Sequence, residues 1–232
     1  MILADITQDL YLNFIKEDRY LWLLDGLKTT LLITFFAAIL GIILGFIVAI
    51  IRSTHDKSGH FKILNAVCRV YLTVIRGTPT MIQLLIMNFV IFGSVSLDKV
   101  IVGSLAFGIN SGAYVAEIVR SGIMSIDPGQ TEAGRSLGLN FTQTMKLIIM
   151  PQAFKNVLPA LVNEFIVMLK ETSIIGYIGM MDLTKGAMLI QSRTYNAFLP
   201  LIAAALIYLA LVMFLTFLMN KIERRLRTNE RK

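Results

Sequence analysis

Charged side chains are scarce in this chain of 232 residues: Asp, Glu, Lys and Arg make up 16% of it, against about 25% in an ordinary soluble domain. With 56% hydrophobic residues and a mean hydropathy of +0.70, that scarcity excludes a soluble enzyme. Cysteine is scarcer still. A single cysteine, Cys68, forbids an internal disulfide. The two histidines, His55 and His60, are read as solvated residues of a short basic loop, without the company a metal site needs. No metal and no cofactor are therefore expected in the chain. The phosphate-cradling pattern G-x-x-x-x-G-K-[ST] is also missing, so any use of ATP requires a partner. No removable signal peptide is expected, because Asp5 and Asp9 stand where a basic leader would be. The net charge of +7 does not point to nucleic acid, since the basic residues flank apolar runs instead of forming a patch with aromatics.

What is present is a series of charge-poor runs of about 20 residues, each long enough to cross ~30 Å of hydrocarbon as a helix. The sequence predicts an all-α membrane protein with five transmembrane helices. Residues 1–20 form a surface segment, residues 21–222 the membrane domain, and residues 223–232 a basic tail. The first span, Thr29 to Ile51, is roughly 34 Å long and carries Gly41 and Gly45 in the spacing that lets two helix backbones approach closely in lipid. The second, from about Ile63 to Phe92, is interrupted at Gly77-Thr78-Pro79, where proline removes a donor and kinks or unwinds the helix. The third covers about Val100–Val119, the fourth Pro151–Lys170 and the fifth Tyr195–Asn220. Between the third and fourth lies a polar connection, about residues 121–150, in which Thr131–Leu147 predicts two short helices.

Orientation follows from where Lys and Arg fall near the span ends. Arg52, Lys57, Lys62 and Arg69 mark one loop, Arg120, Arg135, Lys146 and Lys155 another, and Lys221, Arg224, Arg225, Arg227, Arg231 and Lys232 the tail. The intervening segments are poorer in positive charge. The N-terminus is therefore expected outside and the C-terminus in the cytoplasm.

The polar connection carries the most specific pattern. It reads Glu132-Ala133-Gly134, then Gly138, then nine residues, then Ile148-x-Met150-Pro151. A short helix, a glycine that permits a tight turn and a second helix make a rigid knob, with Pro151 where a new helix can begin. This pattern resembles the cytoplasmic coupling loop of bacterial ATP-binding-cassette importer permeases, with Gly134 in place of an alanine and Met150 in place of a leucine. Arg76-Gly77-Thr78-Pro79 and Gly112-Ala113-Tyr114-x-Ala116-Glu117-Ile118-x-Arg120-Ser121-Gly122-Ile123 narrow the resemblance to permeases for polar amino acids. It covers about residues 20–222. It implies a type I ABC importer permease fold in the bacterial cell membrane, and a dimer with a second permease subunit, homomeric or heteromeric. It further implies ABC ATPase subunits holding ATP and Mg, and an external binding protein that delivers the amino acid. Glu132, Ala133, Gly134, Gly138 and Pro151 are the expected ATPase-coupling residues. A secondary transporter built from inverted repeats is disfavoured, since five spans do not divide into similar halves. A non-transporting scaffold or sensor is the other class left open.

Depth along the spans locates a substrate path. Asn110 is 11 residues from Lys99 and 10 from Arg120, near mid-membrane. Glu164 lies 9 residues after Lys155 and 6 before Lys170, roughly 13 and 9 Å along a helix. Thr80, Gln83 and Tyr208 fall at similar depth, and Asn163 widens the polar face. Glu164 is the strongest candidate, because an ionised carboxylate at that depth is costly and faces a cavity or a cation. Its helical neighbours at three and four residues, Ala160, Leu161, Val167 and Met168, are uncharged. The alternatives for Glu164 are an ion pair with Arg76 or Arg69, or a neutral hydrogen-bonded form. Asn163 has the alternative role of a hydrogen bond between helices, and Glu117, one turn from Arg120, is expected to be an ion-pair or packing residue. The expected substrate-binding set is Glu164, Asn163, Asn110, Thr80 and Tyr208. The expected solute is arginine, with lysine and histidine behind it and glutamine as the alternative.

Overall fold

The computed structural model describes residues 7–228; the first six residues of the expected surface segment and the last four of the basic tail lie outside the described residues. Every regular element among the described residues is helical. A π turn at Tyr11–Ile15 and a 3-10 turn at Lys16–Asp18 lead into α1 (Tyr20–Ser58). There follow α2 (Lys62–Gly77), α3 (Thr80–Ile86, prolonged by a π turn Met87–Ile91), α4 (Lys99–Met124), α5 (Pro128–Ser136) and α6 (Phe141–Thr144, prolonged by Met145–Ile149). The chain ends with α7 (Met150–Glu171), a 3-10 turn Thr172–Ile178, α8 (Leu183–Thr194) and α9 (Phe198–Thr228).

By length and composition three of the described helices, α1, α4 and α9, can cross a membrane alone, and α2 with α3 makes a fourth if the pair is one broken span. The break falls at Thr78–Pro79, where Pro79 was expected to interrupt the second span. Expected span four corresponds to α7, but Lys155, Asn156, Asn163, Glu164 and Lys170 leave it too polar to qualify on the same measure, so five spans is an approximate count. Two loop expectations are corrected. His55 lies inside α1, which continues to Ser58 instead of ending near Arg52, and residues 172–194 are a 3-10 turn followed by α8, where no helix was expected.

The chain divides into two compact units whose boundaries fall within α1, α4, α7 and α9 and at the break between α2 and α3. One consists of Met1–Ala37, Thr80–Phe107 and Ile166–Phe217. Its core joins Leu23 of α1 to Leu183, Ala187 and Ile190 of α8 and Ala204 of α9. The backbone amide of Leu183 donates to Thr30 Oγ1 (3.3 Å), and Asp182 caps α8 by accepting from the Lys185 amide (2.9 Å), as Asp does at helix N-termini. Asp182 is wholly buried, and that burial pushes its carboxyl above the usual carboxylate range.

The other unit consists of Ala38–Pro79, Gly108–Phe165 and Leu218–Lys232. Ala49, Val115, Val119, Ile123, Ile149, Ala153 and Val157 form one apolar cluster; Val48, Cys68, Leu72, Ala113 and Ala116 form a second where α2 meets α1 and α4. Gly41 and Gly45 do what their spacing predicted. A Cβ at Gly45 would collide with Val115, and one at Gly41 would sit 3.1 Å from the Cβ and Oγ of Ser111, so the bare backbone of α1 lies directly on α4.

Candidate functional site

The polar centre of the second unit is assembled from α4 and α7. Ser111 and Asn110 are buried, at 3% and 2% exposure, and the Ser111 hydroxyl donates to Glu164 Oε1 at 2.9 Å. The backbone beside them is held from α2, where the Tyr71 hydroxyl donates to the Ile109 carbonyl at 2.6 Å. α1 packs against Ser111 through Gly41. Glu164 is half-buried and Asn163 exposed. A carboxylate has about four acceptor positions, and the Ser111 hydroxyl orients the group through one of them.

Arg76, weighed above as a partner for Glu164, is engaged elsewhere. Its guanidinium stands 3.7 Å from Glu117 Oε1 and 5.8 Å above the Tyr114 ring. Glu117 also takes Arg52 at 2.7 Å and Arg120 at 3.9 Å, while Arg120 reaches Asp56 at 3.1 Å. Three guanidiniums thus share two carboxylates where α1, α2 and α4 meet, which accounts for Glu117 as an ion-pair residue.

The other two residues of the expected substrate set lie in the first unit. Thr80 lies beside Glu171. Tyr208 packs on the core formed by Leu23, Leu183 and Ala204, with its hydroxyl buried near Thr30 and Thr184. Sequence reasoning missed Ser111, Glu171 and Asp182. Only Asp182 left a local signal, as an N-cap ahead of Leu183-Thr184-Lys185.

Residues 128–149 form the expected two-helix knob. Asp127 caps α5 through the Gly129 amide (2.6 Å), and Asn140 with Gln143 makes a reciprocal capping box on α6. Gly134 is buried, and a Cβ there would stand 2.7 Å from Thr144 Cγ2 and 3.1 Å from Ile148 Cδ1. The departure from alanine at this position therefore closes the hairpin tightly. Gly138 turns the chain at φ +80°, the left-handed region that favours glycine. Its amide donates to the Arg135 carbonyl, and that of Leu139 to the Gly134 carbonyl. Glu132 and Ala133 are exposed, as are the apolar Leu137, Phe141 and Leu147, at 78%, 48% and 62%. Pro151 is the second residue of α7 and follows directly on the π turn Met145–Ile149. Among the described residues no group of three or more Cys, His, Asp or Glu side chains comes together to hold a metal ion.

A family profile described as "binding-protein-dependent transport system inner membrane component" matches residues 39–228. The arginine transport system permease protein ArtQ of Bacillus subtilis is 40% identical over 211 residues, covering 90% of this chain and 94% of ArtQ. The putative glutamine transport system permease protein GlnP of Rickettsia typhi is 37% identical over 213 residues, covering 91% and 95%. A crystal structure of an amino acid ABC transporter with histidines superposes with a TM-score of 0.83 at 42% identity, covering 91% of this chain and 98% of that one.

Proposed function

The chain belongs to the family of binding-protein-dependent transport system inner membrane components, and from that premise we propose that it carries arginine, with lysine and histidine as poorer substrates, into the bacterial cell. It is an amino-acid ABC transporter permease with the type I importer fold, a multi-pass bacterial membrane protein. The observation that carries the cationic reading is the Glu164 carboxylate, oriented by the buried Ser111 hydroxyl at 2.9 Å. A carboxylate held in this way offers a guanidinium two parallel charge-assisted hydrogen bonds, and an ammonium a point-charge contact. The 40% identity to a protein named for arginine transport supports it. A second reading, glutamine, is favoured by the 37% identity to a protein named for glutamine transport, and by the carboxamides of Asn110 and Asn163, which suit a neutral polar solute.

Asn163, Asn110, Thr80 and Tyr208 complete the proposed substrate set. Energy comes from partner ATPase subunits that hold ATP and Mg. They press on the knob at residues 128–149 through its exposed Leu137, Phe141 and Leu147, with Glu132, Ala133, Gly134, Gly138 and Pro151 giving it shape and surface. A second permease subunit completes the membrane part, and an external binding protein delivers the solute.

Uptake of labelled arginine, lysine, histidine and glutamine by the assembled transporter decides the substrate class. Arginine should be taken up with the lowest KM, and unlabelled arginine should compete at least tenfold better than glutamine; glutamine winning that competition overturns the cationic reading. The orientation has its own check. In a Cys68→Ser background, cysteines introduced at Lys99 and Lys185 should react with an impermeant maleimide added outside, and cysteines at His55 and Gln143 should not. The reverse pattern would invert the proposed N-out, C-in topology.

A further inference from the structure

We infer that Gly41 and Ser111 are specificity-determining positioning residues, which fix the direction in which Glu164 presents its carboxylate and so set the preference for a cationic over a neutral amino acid. The inference rests on the reading of Glu164 as the substrate carboxylate.

Ser111 departs from the back-bonding made by seven other hydroxyls in or beside the helices. A serine or threonine inside a helix ordinarily turns back to a carbonyl three or four residues earlier. Thr34, Thr78, Ser136 and Thr194 bond the carbonyl four residues back, and Ser125, Thr172 and Ser192 the one three back. Ser111 instead spends its one proton across the helix interface, on Glu164 Oε1, 53 positions along the chain. Its surroundings are closed. The residue is 3% exposed, the Tyr71 hydroxyl is anchored on Ile109 two residues earlier, and the backbone of α1 lies against it at Gly41.

That last contact gives Gly41 a role beyond helix packing. A side-chain carbon there would stand 3.1 Å from both Cβ and Oγ of Ser111 and 3.4 Å from the Gly108 carbonyl. A separation that short forces the neighbour to give way: the hydroxyl swings about a single torsion, while the contact with Cβ needs a small shift of α1 against α4. Gly45, one turn on, instead abuts Val115 and the Ala116 amide, so it packs α1 on α4 without touching the polar centre. Of the two glycines in the GxxxG spacing, Gly41 alone stands behind the carboxylate's hydrogen-bond donor. The hydrogen bond from Ser111 constrains the direction of the carboxylate, and a guanidinium fork is more sensitive to that direction than a neutral amide is.

The test is uptake by the complete transporter of Ser111→Ala, Gly41→Ala, the double variant and Glu164→Gln, with the arginine-to-glutamine ratio of kcat/KM as readout alongside expression and melting temperature. Ser111→Ala is expected to lower that ratio about tenfold through the KM for arginine, leaving kcat for arginine and the KM for glutamine near their starting values. Gly41→Ala is expected to lower the ratio in the Ser111 background and to change it less than twofold on top of Ser111→Ala, because coupled residues are non-additive. Ser111→Ala deletes a single oxygen atom, so it decides the matter even where Gly41→Ala fails to reach the membrane. A ratio unchanged in Ser111→Ala but collapsed in Glu164→Gln overturns this inference and leaves the Glu164 reading standing. Equal effects of Gly41→Ala in both backgrounds overturn the part assigned to Gly41. A ratio unchanged in Glu164→Gln removes the reading beneath, and this inference with it.

Discussion

Glu164→Gln is expected to weaken arginine uptake by well over tenfold while glutamine uptake holds or rises. The substitution is nearly isosteric, and the glutamine amide oxygen can still accept the hydrogen bond that Ser111 now donates to Oε1 at 2.9 Å. The join between α4 and α7 is therefore kept and only the charge is removed. A zwitterionic solute, neutral overall, needs no fixed negative charge, since neutral donors and acceptors satisfy its ends. An arginine side chain in a desolvated site does need one. A hydrogen bond to a charged group is worth about 1.5–3 kcal/mol, and about 1.4 kcal/mol corresponds to a factor of ten, so losing a two-bond contact exceeds one decade. Initial rates of labelled arginine and glutamine uptake, normalised to protein in the membrane, make the measurement. Normal arginine transport by the variant would make Glu164 a structural residue and end the cationic reading, while membership of the amino-acid permease family would stand.

The second large effect is expected at the knob. Gly138→Pro should abolish uptake driven by ATP, to below a tenth of the starting rate, while the protein still inserts and its partner ATPase still hydrolyses ATP without doing transport work. Proline fixes φ near −65°, whereas Gly138 sits at +80°, and it deletes the amide that donates to the Arg135 carbonyl. Both the turn and its hydrogen bond go, so α5 and α6 lose their fixed relation and a push on one end no longer reaches α7. Glu132→Lys separates docking from shape. Glu132 is exposed and its backbone carbonyl receives the Ser136 hydroxyl at 3.0 Å, a bond that the side-chain change leaves alone. Charge reversal there should uncouple hydrolysis from uptake with the knob intact. Parallel assays of ATP hydrolysis and uptake in proteoliposomes read both variants; full coupling in the two of them would exclude residues 128–149 as the transmission element.

Much of this protein was legible in its sequence because lipid is a uniform solvent and leaves a uniform mark. Four long apolar stretches had to become helices to satisfy their backbone groups. Pro79 had to break the second, and the spacing from Glu132 to Pro151 had to make two short capped helices, since caps, glycine turns and proline act within a few residues. The residues 172–194 escaped because a 3-10 turn and a helix of 12 residues are too short for a membrane span, so the cap at Asp182 and the helical spacing of Leu183, Ala187 and Ile190 went unread. Only the burial of Leu183, Ala187 and Ile190 against α1 and α9 makes α8 what it is.

Beyond Glu117 and Arg120, one turn apart on α4, the pairing of polar groups was not legible. Sequence depth placed Glu164, Asn110 and Thr80 near one level, but depth does not say which way each helix is turned. Rotation and register are set by how small residues such as Gly41 and Gly45 let ridges interlock, a sum of many weak contacts with no local pattern. That packing gave Arg76 to Glu117 and Ser111 to Glu164, and set Thr80 against Glu171. Sequence alone determined the class, the long apolar helices and the two-helix knob, because each depends on neighbours along the chain; tertiary structure alone decided which donor meets which carboxylate, because those partners stand 41 to 91 positions apart and meet only through the packing of helices.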